Sequence, residues 1–136
     1  AVLVAELNGL KEVNDGLGHA AGDELLRRAG EVLGEAVRRP ATASRIGGDE
    51  FVILLPNARE EDAQGLAAEI DKLIEINNTF STGTALSLSY GTALAERGAR
   101  LEDAVKSADL RMYAAKQEFY RLHTRGGGPR GGSPLV

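Results

Sequence analysis

Three groups of polar residues in this chain have types and spacing suited to chemistry. Glu6 closes an apolar run, Val2-Leu3-Val4-Ala5, with Asn8 two residues on. Asn14 and Asp23 flank Gly18-His19 and Gly22. Asp49 and Glu50 stand side by side after Gly47-Gly48 in Arg45-Ile46-Gly47-Gly48-Asp49-Glu50-Phe51. A carboxylate pair at a hairpin tip is costly to bury and easy to place beside a divalent cation. A carboxylate at the end of a central strand, with another on a neighbouring hairpin, lets a sheet hold Mg²⁺ through a couple of carboxylates and substrate phosphates.

The elements that must position these groups follow from the hydrophobic pattern. Val2 to Ala5 reads as a strand apolar on both faces, hence central in a covered sheet. Gly47-Gly48, between a weaker strand at Thr42 to Ile46 and the strong run Phe51 to Leu55, predicts a two-residue hairpin with positive φ at the glycines. Asp49 and Glu50 would then leave the turn on opposite faces of the pleat. A short helix is expected from Leu10 to Asp15, broken by Gly16 and Gly18. A long one is expected from about Ala21 to Arg38, with Leu25, Leu26, Ala29, Val32, Leu33 and Ala36 on one stripe and Pro40 ending it. A second amphipathic helix carries Ala63, Leu66, Ala67, Ile70, Leu73 and Ile74, and Asn77-Asn78 with Gly83 mark a loop. Leu86, Leu88 and Tyr90 alternate with Ser87 and Ser89 as in a half-buried strand. The last helix, Leu101 to about Gln117, is expected to turn Leu101, Ala104, Val105, Ala108, Met112 and Ala115 inward. The fold class is therefore α/β (α+β): a mixed central sheet of about five strands flanked by helices, carrying one functional hairpin.

Composition narrows the function classes. The 136 residues are 43% apolar and 26% charged, ordinary for one globular domain. The folded part is expected over 1–122, with a Gly/Pro/Arg-rich disordered tail over 123–136. With 16 Lys+Arg against 20 Asp+Glu, the net charge of −4 speaks against nucleic-acid binding. No apolar run is long enough to span or contact a membrane. The absence of cysteine excludes disulfides and thiolate metal sites and fits a reducing cytoplasm, though a parent protein could be membrane-attached. A mildly acidic chain that binds an anionic nucleotide needs metal ions and a few placed lysines.

Taken together, Glu6-Leu7-Asn8-Gly9-Leu10-Lys11-Glu12-Val13-Asn14-Asp15, Gly18-His19-Ala20-Ala21-Gly22-Asp23 and Gly47 to Phe51 resemble the GGDEF family. These are diguanylate cyclases, which condense two GTP into cyclic di-GMP on a nucleotide-cyclase, palm-like fold. The resemblance implies that Glu6, the Leu7 carbonyl, Asp49 and Glu50 hold Mg²⁺, or Mn²⁺ in its place. It implies that Glu50 helps deprotonate the attacking 3′-hydroxyl, with Asp49 beside it in the catalytic pair. The backbone at Gly9 and Leu10, with Lys11 and Lys116, would meet the triphosphate, and Gly47-Gly48 would leave room for the second nucleotide. Asn14 and Asp23 would read the guanine edge, a carboxylate accepting from both N1–H and the 2-amino group. Since one domain holds one GTP, a second copy of the domain is required. An upstream sensory domain is the usual companion, and the chain reads as a fragment of a longer polypeptide.

Against the family pattern, Glu6 replaces Asp, the Arg-x-x-Asp inhibitory motif reads Arg38-Arg39-Pro40-Ala41, and Tyr120 stands where an Arg helps hold phosphate. The helical segment that precedes the first strand in family members is not expected among these residues. These departures imply reduced activity, no product inhibition through that motif, and Arg121 as the substitute phosphate contact. The alternative reading is a degenerate domain that binds GTP, cyclic di-GMP or a protein partner without turnover.

Overall fold

The structure, a computed structural model, describes residues 1–127, with side chains through residue 123. The element order is β1 (Val2–Leu7), α1 (Leu10–Leu17), α2 (His19–Ala36), β2 (Thr42–Arg45), β3 (Glu50–Leu54), α3 (Glu60–Thr79), β4 (Leu88–Ala93) and α4 (Leu101–Gly127). The strands form one sheet in the order β2-β3-β1-β4. β1 is central, as its two-faced apolar run demands. The α+β class stands, but among the described residues the sheet has four strands rather than about five, and every pairing is antiparallel rather than mixed.

Strand parity divides the core in two. Leu3, Ala5 and Leu7 face α2 and α3, with Phe51, Ile53, Leu25, Leu33 and Ile70. Val2 and Val4 face α4, with Ala93, Ala104, Ala108 and Met112. Glu6 shares the parity of Val2 and Val4, so it emerges beneath α4.

Several local expectations change. Gly16 lies inside α1, and the break between α1 and α2 falls at Gly18, whose φ of 95° suits glycine. Asn77 and Asn78 belong to the last turn of α3 rather than to a loop. There their side-chain oxygens accept from the buried Arg28 of α2 at 2.7 and 2.9 Å, which clasps the two helices together. On β4 the serine side proves the more buried: Ser89 is 5% exposed, because α4 covers that face. α4 extends to Gly127, so residues 123–127 are helical where a tail was expected, and the remainder of that tail lies outside the described residues.

The inward face of α4 is also revised. Ala104, Ala108 and Met112 are buried as expected, but Ala115 is exposed and Leu101 is 47% exposed. The four-residue step from 104 to 108 to 112 instead continues to Lys116 and Tyr120, both partly buried. The helix keeps one face over the sheet, and that face turns from apolar to polar where the sheet ends.

Gly91 sets how closely α4 approaches. A Cβ there would lie 2.4 Å from the Ala108 carbonyl oxygen and 2.4 Å from the Met112 nitrogen. Both are helix backbone, which cannot swing aside. Gly91→Ala is therefore expected to cost about 1–3 kcal/mol, the usual penalty of overpacking, with urea denaturation as the measurement; an unchanged midpoint would contradict this packing.

Candidate active site

The site is built at the end of β1 where three backbone segments meet. Glu6 pairs with Glu50 in the β1–β3 register, and one step further the Leu7 N–H donates to the Asp49 carbonyl at 2.9 Å. Cross-strand partners share a face, so Glu6 and Glu50 lie together beneath α4, and Asp49 is held against the end of β1. The three carboxylates expected to cooperate are thus brought together.

The hairpin that carries two of them is not the expected two-residue turn. Neither Gly47 nor Gly48 has positive φ. Ile46 N–H still donates to Glu50 O at 2.9 Å, which leaves Gly47, Gly48 and Asp49 as a longer loop. Arg45 braces that loop: Nε donates to the Gly47 and Gly48 carbonyls at 3.1 Å each, and Nη2 to Gly48 O at 2.7 Å. Because Asp49 belongs to the loop rather than to the pleat, its orientation is not fixed by strand alternation.

One cation answers this negative charge. Lys116 Nζ lies 2.8 Å from Glu6 Oε1 and donates to the Leu7 carbonyl at 2.9 Å, with both side chains about four-fifths shielded from solvent. Lys116, expected at the triphosphate, therefore sits on the carboxylate and the carbonyl expected to hold a metal ion. The donor set is all oxygen and it converges on a positive charge, as Mg²⁺ requires. Among the described residues no group of three or more His, Cys, Asp or Glu side chains is already arranged as a metal centre.

Glu50 faces a further acid. Burial pushes its carboxyl above the usual carboxylate range, a hydrogen bond with Asp109 of α4 adds to this, and the charges of Asp109, Glu6 and Asp49 act in the same direction. Sequence reasoning missed Asp109 as a member of the site.

Beside the acids, the chain turns into α1 through Gly9, whose φ of 79° is left-handed. Asn8 pins this turn from below: its amide donates to Ser87 Oγ and its carbonyl accepts from Ser89 Oγ, both at 3.0 Å. Above it, the Gly9 N–H donates to the Tyr120 hydroxyl at 2.8 Å. Leu10 begins α1 and packs against the core. Lys11 stands apart, exposed and ion-paired with Asp15 at 2.9 Å. Arg121 likewise stands away from the turn, exposed and paired with Glu118.

Across the α1–α2 junction Asn14 lies against Gly22, the residue before Asp23. A Cβ on Gly22 would fall 1.8 Å from Asn14 Oδ1, so the carboxamide occupies the space that glycine leaves. Gly18 is the N-cap of α2, so Asp23 does not cap that helix. The Asn14 backbone carbonyl accepts from Gly18 N–H at 3.0 Å, closing the turn at the end of α1.

Comparisons with known proteins identify the family. The family model described as "Diguanylate cyclase, GGDEF domain" matches residues 1–120. The chain is similar to Diguanylate cyclase A of Treponema denticola, 30% identical over 120 residues, covering 86% of this chain and 32% of that protein. It is similar also to a protein of Streptomyces ambofaciens known as an uncharacterized 19.3 kDa protein, 41% identical over 118 residues, covering 85% and 63%. The chain thus spans about a third of the length of the first of these relatives. Among solved structures it is similar to an EAL/GGDEF domain protein from M. capsulatus, with a TM-score of 0.73 and 34% identity, covering 86% of this chain and 77% of that one. It also resembles the GGDEF domain of DgcB from Caulobacter crescentus in complex with c-di-GMP, with a TM-score of 0.74 and 26% identity, covering 86% and 71%.

A pH prediction follows from Glu50. Its raised pKa means that ionised Glu50 is less favourable in the folded chain than in the unfolded one. Its stability contribution is therefore full below the ordinary carboxylate value and lost as pH rises through the raised one. Glu50→Gln removes that repulsion: the variant should melt above the wild type at neutral pH, and the gap should close below about pH 4. Thermal melts at the two pH values check it, and a variant that melts lower at neutral pH would contradict the arrangement.

Proposed function

This chain belongs to the GGDEF family, and we propose that it is the catalytic domain of a diguanylate cyclase, condensing two GTP into cyclic di-GMP with release of two pyrophosphates. The observation that carries this reading is the convergence of Glu6, the Leu7 carbonyl and Lys116 at the end of β1, with Asp49 and Glu50 alongside. Mg²⁺, or Mn²⁺ in its place, would be held by Glu6, the Leu7 carbonyl, Asp49 and Glu50, and would supply charge neutralisation on the phosphates and a more acidic 3′-hydroxyl.

The remaining roles belong to the chain itself. Glu50, cross-strand from Glu6, accepts the proton of the attacking hydroxyl. Lys116 neutralises phosphate charge once it leaves Glu6, with Lys11 as the second lysine, and the Gly9 and Leu10 backbone receives the triphosphate. Asn14 and Asp23 bind the guanine edge, and Gly22 positions Asn14 by leaving its carboxamide room. Two copies of the domain, each holding one GTP, meet face to face, so the reaction belongs to a homodimer working in the cytoplasm under a sensory domain. With Arg38-Arg39-Pro40-Ala41 in place of the inhibitory motif, the product does not inhibit through that segment.

One observation favours a second reading, a domain that binds GTP or cyclic di-GMP, or a protein partner, without turnover. Lys116 already satisfies Glu6 and Leu7, and a metal ion must displace it. Incubation with GTP and Mg²⁺ or Mn²⁺ at high protein concentration, read by chromatography, separates the two. Cyclic di-GMP is expected, with Glu50→Gln about 100-fold slower or worse and Glu6→Asp faster than wild type. No product with either metal leaves the binding reading.

The guanine assignment has its own test. Gly22→Ala should weaken GTP binding about tenfold by displacing the Asn14 amide, and adding Asn14→Ala to it should cost little more. Full additivity of the two changes in calorimetry would mean that Gly22 does not act through Asn14.

A further inference from the structure

Resting on the proposed metal site, we propose that Lys116 is a built-in competitor of the divalent cation, an ammonium that keeps the site shut until a nucleotide draws it away. Two oxygens define the place it holds. Lys116 Nζ lies 2.8 Å from Glu6 Oε1 and donates to the Leu7 carbonyl at 2.9 Å. The same carboxylate and carbonyl are assigned to the ion, so ion and ammonium contend for one position. Two positive charges cannot share it.

This contact differs in kind from the ion pairs of Lys11, Arg27, Arg59, Arg100 and Arg121. Those join near neighbours in sequence, with side chains about half exposed or more. Such pairs contribute little and open easily. Lys116 and Glu6 come instead from opposite ends of the domain and are only 17% and 22% exposed. Opening this pair is costly, because it leaves Glu6 bare beside Glu50, its cross-strand partner. The ammonium is steadied further by the Tyr120 ring, whose centroid lies 5.7 Å from Nζ and whose hydroxyl is anchored by the Gly9 N–H at 2.8 Å. A divalent ion that arrives alone must therefore evict the lysine and leave its charge unpaired. A polyanionic nucleotide gives that charge a new partner. Cation and nucleotide thus bind with positive coupling, each raising the chain's affinity for the other by the same factor.

Mn²⁺ without nucleotide is the probe, its uptake by the full chain followed by electron paramagnetic resonance. Lys116→Met removes the charge and keeps an unbranched side chain. It should bind Mn²⁺ about tenfold more tightly than the wild type, the usual worth of a hydrogen bond to a charged group. Lys116→Gln should gain likewise, whereas Lys116→Arg, which keeps the charge, should not. Adding Glu6→Gln to Lys116→Met should abolish the gain. GTP should raise Mn²⁺ uptake, above that of GTP alone, more in the wild type than in Lys116→Met. Equal or weaker Mn²⁺ binding by Lys116→Met and Lys116→Gln would overturn the proposal. So would an equal gain in Lys116→Arg, or a gain that survives Glu6→Gln. A wild type that takes up Mn²⁺ through Glu6 as tightly as Lys116→Met defeats this proposal alone and leaves the metal site standing. No uptake by any of these chains, with GTP or without, sinks the metal site itself.

Discussion

The structure depends on how it manages negative charge at one end of its central strand. Glu6, Asp49, Glu50 and Asp109 gather where β1 runs out, and one ammonium, that of Lys116, lies among them. Carboxylates this close repel one another strongly wherever water is scarce. A fold that only had to be stable would replace them with apolar residues, as it does two residues earlier on the same face with Val4 and Val52. Keeping them costs stability. That cost is borne between two paired strands and a helix docked on a glycine.

α4 is the element that makes this tolerable. Its position over β4 is set by Gly91, where helix backbone meets strand backbone. From that fixed contact, a single face runs along Ala104, Ala108, Met112, Lys116 and Tyr120. The apolar part seals the second core, and the polar part reaches the Leu7 carbonyl, the Glu6 carboxylate and the Gly9 N–H. Packing and site chemistry are thus consecutive turns of one helix. A shift at Gly91 would propagate to both.

How much of this was legible in the sequence differs by residue. The central place of β1 could be read because a strand covered on both faces must be apolar at every position. Glu6 stood out for the same reason, as a carboxylate where that run should continue. The stripe of α2 followed from helical spacing. The turn at Gly47-Gly48 was misread because glycine permits positive φ without requiring it; Arg45 holds the loop by donating to its carbonyls, an interaction that leaves no mark in local pattern. Asp109 was missed, and Tyr120 was read only as a lost arginine, because their meaning depends on which face of α4 points down. The four-residue step through Ala104, Ala108 and Met112 would have given Lys116 and Tyr120, had it been preferred to the three-residue step to Ala115. Serines on β4 read as solvent-facing by period, but the sheet is covered on that side, and Ser89 supports Asn8.

The glutamate at position 6 can be argued further from the same geometry. A glutamate carries its carboxylate about 1.5 Å farther from the backbone than an aspartate does. Had that length carried the group past the end of the sheet, Glu6 and the Leu7 carbonyl would point at different places. They instead meet on one ammonium at 2.8 and 2.9 Å, with the backbone register of β1 and β3 intact. An Mg²⁺ ion in the ammonium's place, as proposed, would ask these oxygens to draw in to about 2.0–2.1 Å. The added rotatable bond of glutamate allows that movement while Leu7, fixed by its bond to Asp49, stays in place. On that proposal Glu6 would be the compliant half of the pair and Leu7 the rigid half, with the entropy lost on tightening falling mainly on the side chain.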